Sequence, residues 1–187
     1  IGDIGTHAEN LAEYITGLKI AELAADLTAF VKGRKLDDDG NLLLRFKGGA
    51  KGVLHSSQIS VGEENNLNIR VYGEKGGLEW KQEDANSLIV KWLDIPAEIW
   101  RSGNSYLSSF AQHNTRTPAG HPEGYLEAFA NLYRNFSLCV KAKMEGVEPK
   151  EEWLDFPGAD EGIRGMVFIE QVIASAKSKE KWIDFIV

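Results

Sequence analysis

Residues 20–50 read IAELAADLTAFVKGRKLDDDGNLLLRFKGGA, and the fold is decided by how this stretch alternates and where it turns. Ile20, Leu23, Ala25, Leu27, Ala29 and Val31 approach strict alternation, the period that sets one face of a strand against a core. Asp37-Asp38-Asp39-Gly40-Asn41 is a turn sequence between that strand and the apolar run at 42–46, and Lys47-Gly48-Gly49-Ala50 is the next turn. Strands joined by connections this short are antiparallel, because parallel neighbours need a crossover of roughly a dozen residues or more.

The pattern continues downstream, and strands are expected at 20–32, 41–47, 51–61, 66–73, 77–82 and 87–92. Upstream the period changes: Leu11, Ala12 and Ile15 recur at helical spacing and Gly17 supplies a stop, which predicts a helix over 3–16. Residues 96–120 are irregular and rich in Ser, Asn and Thr, the kind of long connection that more often carries function. It ends at His121-Pro122, with proline suited to a first helical turn. Leu126, Phe129, Ala130, Tyr133, Phe136, Val140 and Met144 then form one apolar stripe, so 122–145 is a long amphipathic helix. A third helix is expected over 160–176, on Ile163, Val167 and Ile173, and a short last strand at 182–185. The architecture read from these elements is α+β, an open and mostly antiparallel sheet of about six strands with helices packed on one face.

Composition bounds the function. The chain has 187 residues, 43% of them apolar, which is one domain with enough material for a core that needs no disulfide staples. A net charge of -7 with no basic stripe argues against nucleic acid as a partner. No apolar run approaches the ~20 residues of a spanning helix, and no basic-then-apolar leader opens the sequence, so the expectation is a cytoplasmic protein without a membrane partner. The chain opens on Ile1 and runs directly into a helical pattern, as a piece of something longer would. No two of its 19 glycines are separated by a single residue, so G-x-G-x-x-G cannot occur.

Two pairs of residues stand out chemically. Asp3 and His7, four apart at the start of the first helix, share one helix face. A carboxylate beside an imidazole fixes its tautomer and raises its proton affinity, which makes the pair a candidate general base with its orienting partner. On spacing alone the commoner reading is a capping aspartate with a surface histidine. With His55, His113 or His121 as a third ligand the pair could hold a metal, but no dense ligand cluster accompanies it and no metal is expected. Arg116 and His121 flank Gly120 in the irregular connection, where a guanidinium can fork onto a carboxylate or a sugar diol; they can equally tie down a loop. His55 sits at an alternating strand position facing solvent, Cys139 reads as an inert helical thiol, and the sequon at Asn135-Phe136-Ser137 is buried in a helical pattern.

Several stretches together resemble one family. Gly2-Asp3-Ile4-Gly5-Thr6-His7 with Leu11, the Leu-Arg-Phe and Gly-Ala-x-Gly pattern within 40–58, Val71-Tyr72-Gly73-Glu74-Lys75-Gly76-Gly77, and Gly120-His121-Pro122-Glu123-Gly124-Tyr125 are similar to the C-terminal domain of the glucose-fructose oxidoreductase/inositol dehydrogenase (Gfo/Idh/MocA) family. The resemblance implies a fold like the C-terminal domain of glyceraldehyde-3-phosphate dehydrogenase. It also implies that residues 1–187 are a single catalytic, substrate and oligomerisation domain, following an N-terminal Rossmann domain that this sequence does not contain. By analogy His7 takes the hydroxyl proton of a sugar, inositol or related polyol while hydride passes to NAD or NADP, and Asp3 orients it. Arg116 and His121 become substrate-side residues. The cofactor is held mainly by the other domain, together with the family's Glu-Lys-Pro lysine, so the isolated chain is expected to be inactive. The family commonly forms homo-oligomers, and a dimer through the open sheet face is expected. The alternative is a non-catalytic oligomerisation or ligand-binding module that uses that face.

Overall fold

The computed structural model describes all 187 residues. In chain order its elements are α1 (Ile4–Thr16), β1 (Ile20–Thr28), β2 (Asp39–Phe46), β3 (Lys51–Ser57), β4 (Asn68–Tyr72), β5 (Gly76–Lys81), β6 (Ser87–Trp92), β7 (Glu98–Arg101), α2 (Ser109–His113), α3 (Tyr125–Glu145), α4 (Ala159–Lys177) and β8 (Ile183–Asp184). They fall into two compact units, residues 1–64 with 157–187 and residues 65–156. No helix is long and apolar enough to cross a membrane.

The α+β class and the antiparallel pairing are as expected, but the strands form two four-stranded sheets where the sequence suggested one of about six. The orders are β3-β2-β1-β8 and β4-β5-β6-β7. The division falls in the connection between β3 and β4, residues 58–67, which includes left-handed residues at Gly62 (φ 90) and Glu64 (φ 50). The first strand likewise stops at Thr28 rather than 32, because the Asp38 carboxylate accepts the N–H groups of Phe30 (2.7 Å) and Val31 (2.9 Å) and turns the chain there. Those donors, Phe30 first, hold the Asp38 carboxyl below its ordinary range.

In the first unit the register explains the core. Leu23 pairs with Leu44 and Ala25 with Leu42, while Leu42 pairs with Leu54, so these side chains share one face. Phe168 and Val172 of α4 are fully buried against that face, with Ile20 and Phe46 completing the cluster. Helices therefore cover one side of this sheet. On the other side Leu43 and Val53, paired across the strands, are 51% and 77% exposed. β8 closes the edge by pairing with β1 at Leu23 and Glu22.

In the second unit the cross-strand row Ile69, Trp80, Leu88 and Trp100 shows that β7 extends the sheet into the connection expected to be irregular. The same connection also contains α2, capped by the Ser108 side chain. The long helix begins at Tyr125, three residues later than expected, where Glu127 accepts the Gly124 N–H at 2.9 Å. Its apolar stripe is the open side: Tyr133 is 72% and Met144 82% exposed, whereas the buried positions are Asn135 and Ala142.

Candidate functional site

Helix α1 presents two different faces. Gly5, Glu9 and Glu13, each four residues from the next, turn inward. The apolar positions that announce the helix do not lead this contact, since Ile15 is 46% exposed. On the outer side lie Asp3 and His7, both exposed. Asp3 occupies the N-cap position, yet its backbone is already helical (φ -87, ψ -76) and its carboxylate caps nothing. Only its carbonyl is engaged, accepting the Thr6 hydroxyl at 2.9 Å. The capping role is therefore not the one seen, and carboxylate and imidazole stand on one open helix face.

What holds this face in place is the inward side. A Cβ on Gly5 would collide with the Ile1 side chain and stand 3.4 Å from Ser56 Oγ of β3. Glu13 accepts the Ile20 N–H (2.8 Å), Lys19 Nζ (2.9 Å), and both Nε and Nη2 of Arg164 on α4. Burial by itself would raise the Glu13 carboxyl, but these donors, Arg164 foremost, outweigh it and hold the group below its ordinary value. Glu9 and Arg164 were not singled out in the sequence. The available signal was a pair of like charges four apart on one helix, which is unfavourable unless a cation answers it.

Arg116 and His121 lie in the second unit and share one pinned loop. The Glu123 carboxylate accepts the Arg116 N–H (2.6 Å), the Thr117 N–H and the Thr117 hydroxyl (2.8 Å). Glu123 is itself held by Asn86, whose amide takes its N–H (3.0 Å) and donates to its carbonyl (2.7 Å). Gly103 at φ 76 backs the loop; a Cβ there would sit 2.8 Å from the Ala119 nitrogen. Arg116 Nε donates to Asn131 Oδ1 at 3.0 Å, leaving the outer guanidinium nitrogens exposed. His121 Nδ1 faces the Pro118 carbonyl at 3.2 Å, so in the neutral ring Nε2 is the acceptor. Both residues are tied to neighbouring groups and are exposed.

The remaining candidates are occupied structurally. His55 pairs with Asp39 at 3.2 Å on the open sheet face. His113 bonds Asn135 Oδ1 at 2.8 Å, and Asn135, only 1% exposed, makes the sequon inaccessible. The Cys139 thiol donates to the Trp153 carbonyl at 3.3 Å.

Comparison with known proteins places this arrangement. Residues 1–79 match the model of the GFO/IDH/MocA C-terminal domain. An uncharacterized oxidoreductase, YfiI, of Bacillus subtilis is 32% identical over 187 residues, covering 99% of this chain and 48% of that protein. Among solved structures, an oxidoreductase from Sinorhizobium meliloti superposes with a TM-score of 0.91 at 43% identity, over 97% of this chain and 51% of its own. An inositol dehydrogenase homolog from Azotobacter vinelandii, solved with NADH and myo-inositol, gives a TM-score of 0.88 at 32% identity, over 97% of this chain and 48% of its own. The chain thus spans about half the length of the relatives it matches. Residues 1–79 are thus similar to the GFO/IDH/MocA C-terminal domain, and over nearly its whole length the chain superposes on one half of solved oxidoreductases.

Proposed function

We propose that this chain is the substrate-side domain of an NAD(P)-dependent oxidoreductase acting on a sugar, inositol or related polyol, with His7 as general base and Asp3 as its orienting carboxylate. The observation that carries the reading is the open Asp3/His7 face of α1 on a domain 32% identical to one solved with NADH and myo-inositol. In the oxidation direction His7 would accept the hydroxyl proton of the substrate as the carbinol C–H is lost as hydride to a bound acceptor, leaving a carbonyl. The bound dinucleotide supplies the hydride acceptor. This chain's own contribution is the base, its orientation, and polar side chains for hydroxyl groups, among which Arg116 and His121 are the candidates. The dinucleotide contacts belong to a Rossmann domain outside residues 1–187, so the isolated chain should not turn over.

The test is a screen of the full-length polypeptide containing these residues against myo-inositol, other polyols and sugars with NAD or NADP, followed by nicotinamide reduction. The reading expects turnover with at least one cyclic polyol or sugar and none from residues 1–187 alone. A full-length protein that binds polyol but reduces no nicotinamide would refute it.

The open face of the first sheet supports an additional role in assembly. Leu43 and Val53 border a shallow hollow of about 260 Å³, edged by Asp26, Asn41 and Lys181. An apolar centre with a polar rim is the composition of a protein interface, and the reading assigns this face to a second copy of the chain.

A further inference from the structure

On its inward side α1 brings two acids to one buried base, Arg164, with the half-exposed Lys19 at the edge of the cluster. Glu9 and Glu13 are 2% and 4% exposed. Arg164, whose side chain is 16% exposed, fills its fork with Glu13 and lies 4.5 Å over the Phe185 ring, which fixes the guanidinium plane. Glu9 receives what is left, a contact of 3.9 Å from its Oε1 to Arg164 Nε. The other charged groups facing it are Glu13 on its own helix and Lys19 in the link to β1. At 3.9 Å Glu9 feels the guanidinium's charge without a hydrogen bond from it.

We propose that Arg164 is a positioning residue for α1, and that a proton on Glu9 completes the hold by leaving Glu13 as the guanidinium's only anionic partner. With Glu9 neutral, Glu13 alone faces the buried Arg164 guanidinium, with the half-exposed Lys19 Nζ on its other side at 2.9 Å. When Glu9 ionises, a second buried carboxylate stands beside Glu13, answered at close range only by the 3.9 Å approach of Arg164 Nε, and burying it weakens the contact that holds the helix. Burial, reinforced by the Glu13 charge, pushes the Glu9 carboxyl up to about 7, so the change falls in the neutral range. Because α1 carries Asp3 and His7, the consequence for a reaction rests on the proposed function; the hold itself does not.

The experiment is a side-chain carboxyl and backbone amide NMR titration of this 187-residue chain through the range around pH 7. The expected result is a Glu9 carboxyl midpoint near 7 with the α1 amides from Gly5 to Glu13 shifting at the same midpoint. Glu9→Gln, isosteric with the protonated acid, should leave those amides at their acid-side positions throughout. Glu13→Gln keeps an acceptor for the Ile20 N–H and frees the fork for Glu9, so the proton affinity of Glu9 should fall by tenfold or more. A Glu9 midpoint in the ordinary carboxylate range, α1 amides indifferent to Glu9, or a Glu9 midpoint unmoved by Glu13→Gln would each overturn the proposal. None of these readouts requires turnover, so a catalytically silent His7 would sink the proposed function and leave this one standing.

Discussion

Glu9 ties a single side chain to the stability of the domain. Its folded value of about 7 lies above the 4.5 of the free side chain. The folded state therefore binds the proton more tightly, and stability is fully present below 4.5 and lost as pH climbs through about 7. The difference corresponds to about 3 kcal/mol at most. In urea unfolding Glu9→Gln should be more stable than wild type above neutral pH by up to that amount and match it in acid; equal midpoints at alkaline pH would contradict the assignment. Glu13 runs the other way, its lowered value giving stability that is lost as pH falls. A second residue-scale expectation concerns Asn135, whose buried amide bonds His113 (2.8 Å), Asn114 (3.1 Å) and the Asp155 carbonyl (3.3 Å). Asn135→Ala should cost about 2 kcal/mol in the same assay, because it strands these partners. That Asp3 and His7 share an exposed face of α1 was legible in the sequence, because a spacing of four fixes a helix face locally. Glu9 and Glu13 were not, because the arginine that makes their burial tolerable is 151 positions from Glu13.

At the scale of elements, turns and stops were the readable features. Asp39, Gly40 and Asn41, expected in a turn, belong to β2 and pair with Thr28, Leu27 and Asp26, whereas Gly17 ends α1 at φ 67 and the Gly48-Gly49 turn follows β2 where expected. Local side-chain chemistry dictates such points. Which face of a helix is covered depends instead on distant chain: α3 shows its apolar stripe to solvent within the described residues, and its polar Asn135 faces the Asn114 and Asp155 segments. β7 and α2 escaped notice because the apolar signal in their short segments is swamped by Ser and Asn around them. The loop that orients Arg116 and His121 supplies an element-scale prediction. Gly103→Ala places a Cβ in a left-handed position against the backbone of Ala119. It should destabilise the domain by ~1 kcal/mol or more and raise KM for substrate in the full-length enzyme while kcat changes less. Unchanged KM with lowered stability would restrict Gly103 to a folding role and count against a substrate-side loop.

For the whole molecule, the α+β class and antiparallel pairing followed from alternation and turn length, whereas the division into two sheets at the connection after β3 carries no local signal in the sequence. The open face of the first sheet predicts an assembly. Val53→Lys, at a position already 77% exposed, should leave thermal stability nearly unchanged and convert a dimer to a monomer by light scattering. A wild-type chain that is monomeric at high concentration would remove the sheet-face interface. The central claim, that α1 delivers a general base to a nicotinamide-dependent reaction, is tested most directly by His7→Ala in the full-length polypeptide. Turnover of its polyol or sugar substrate should fall by about 10²- to 10⁴-fold, with dinucleotide affinity unchanged. Turnover identical to wild type would contradict the claim.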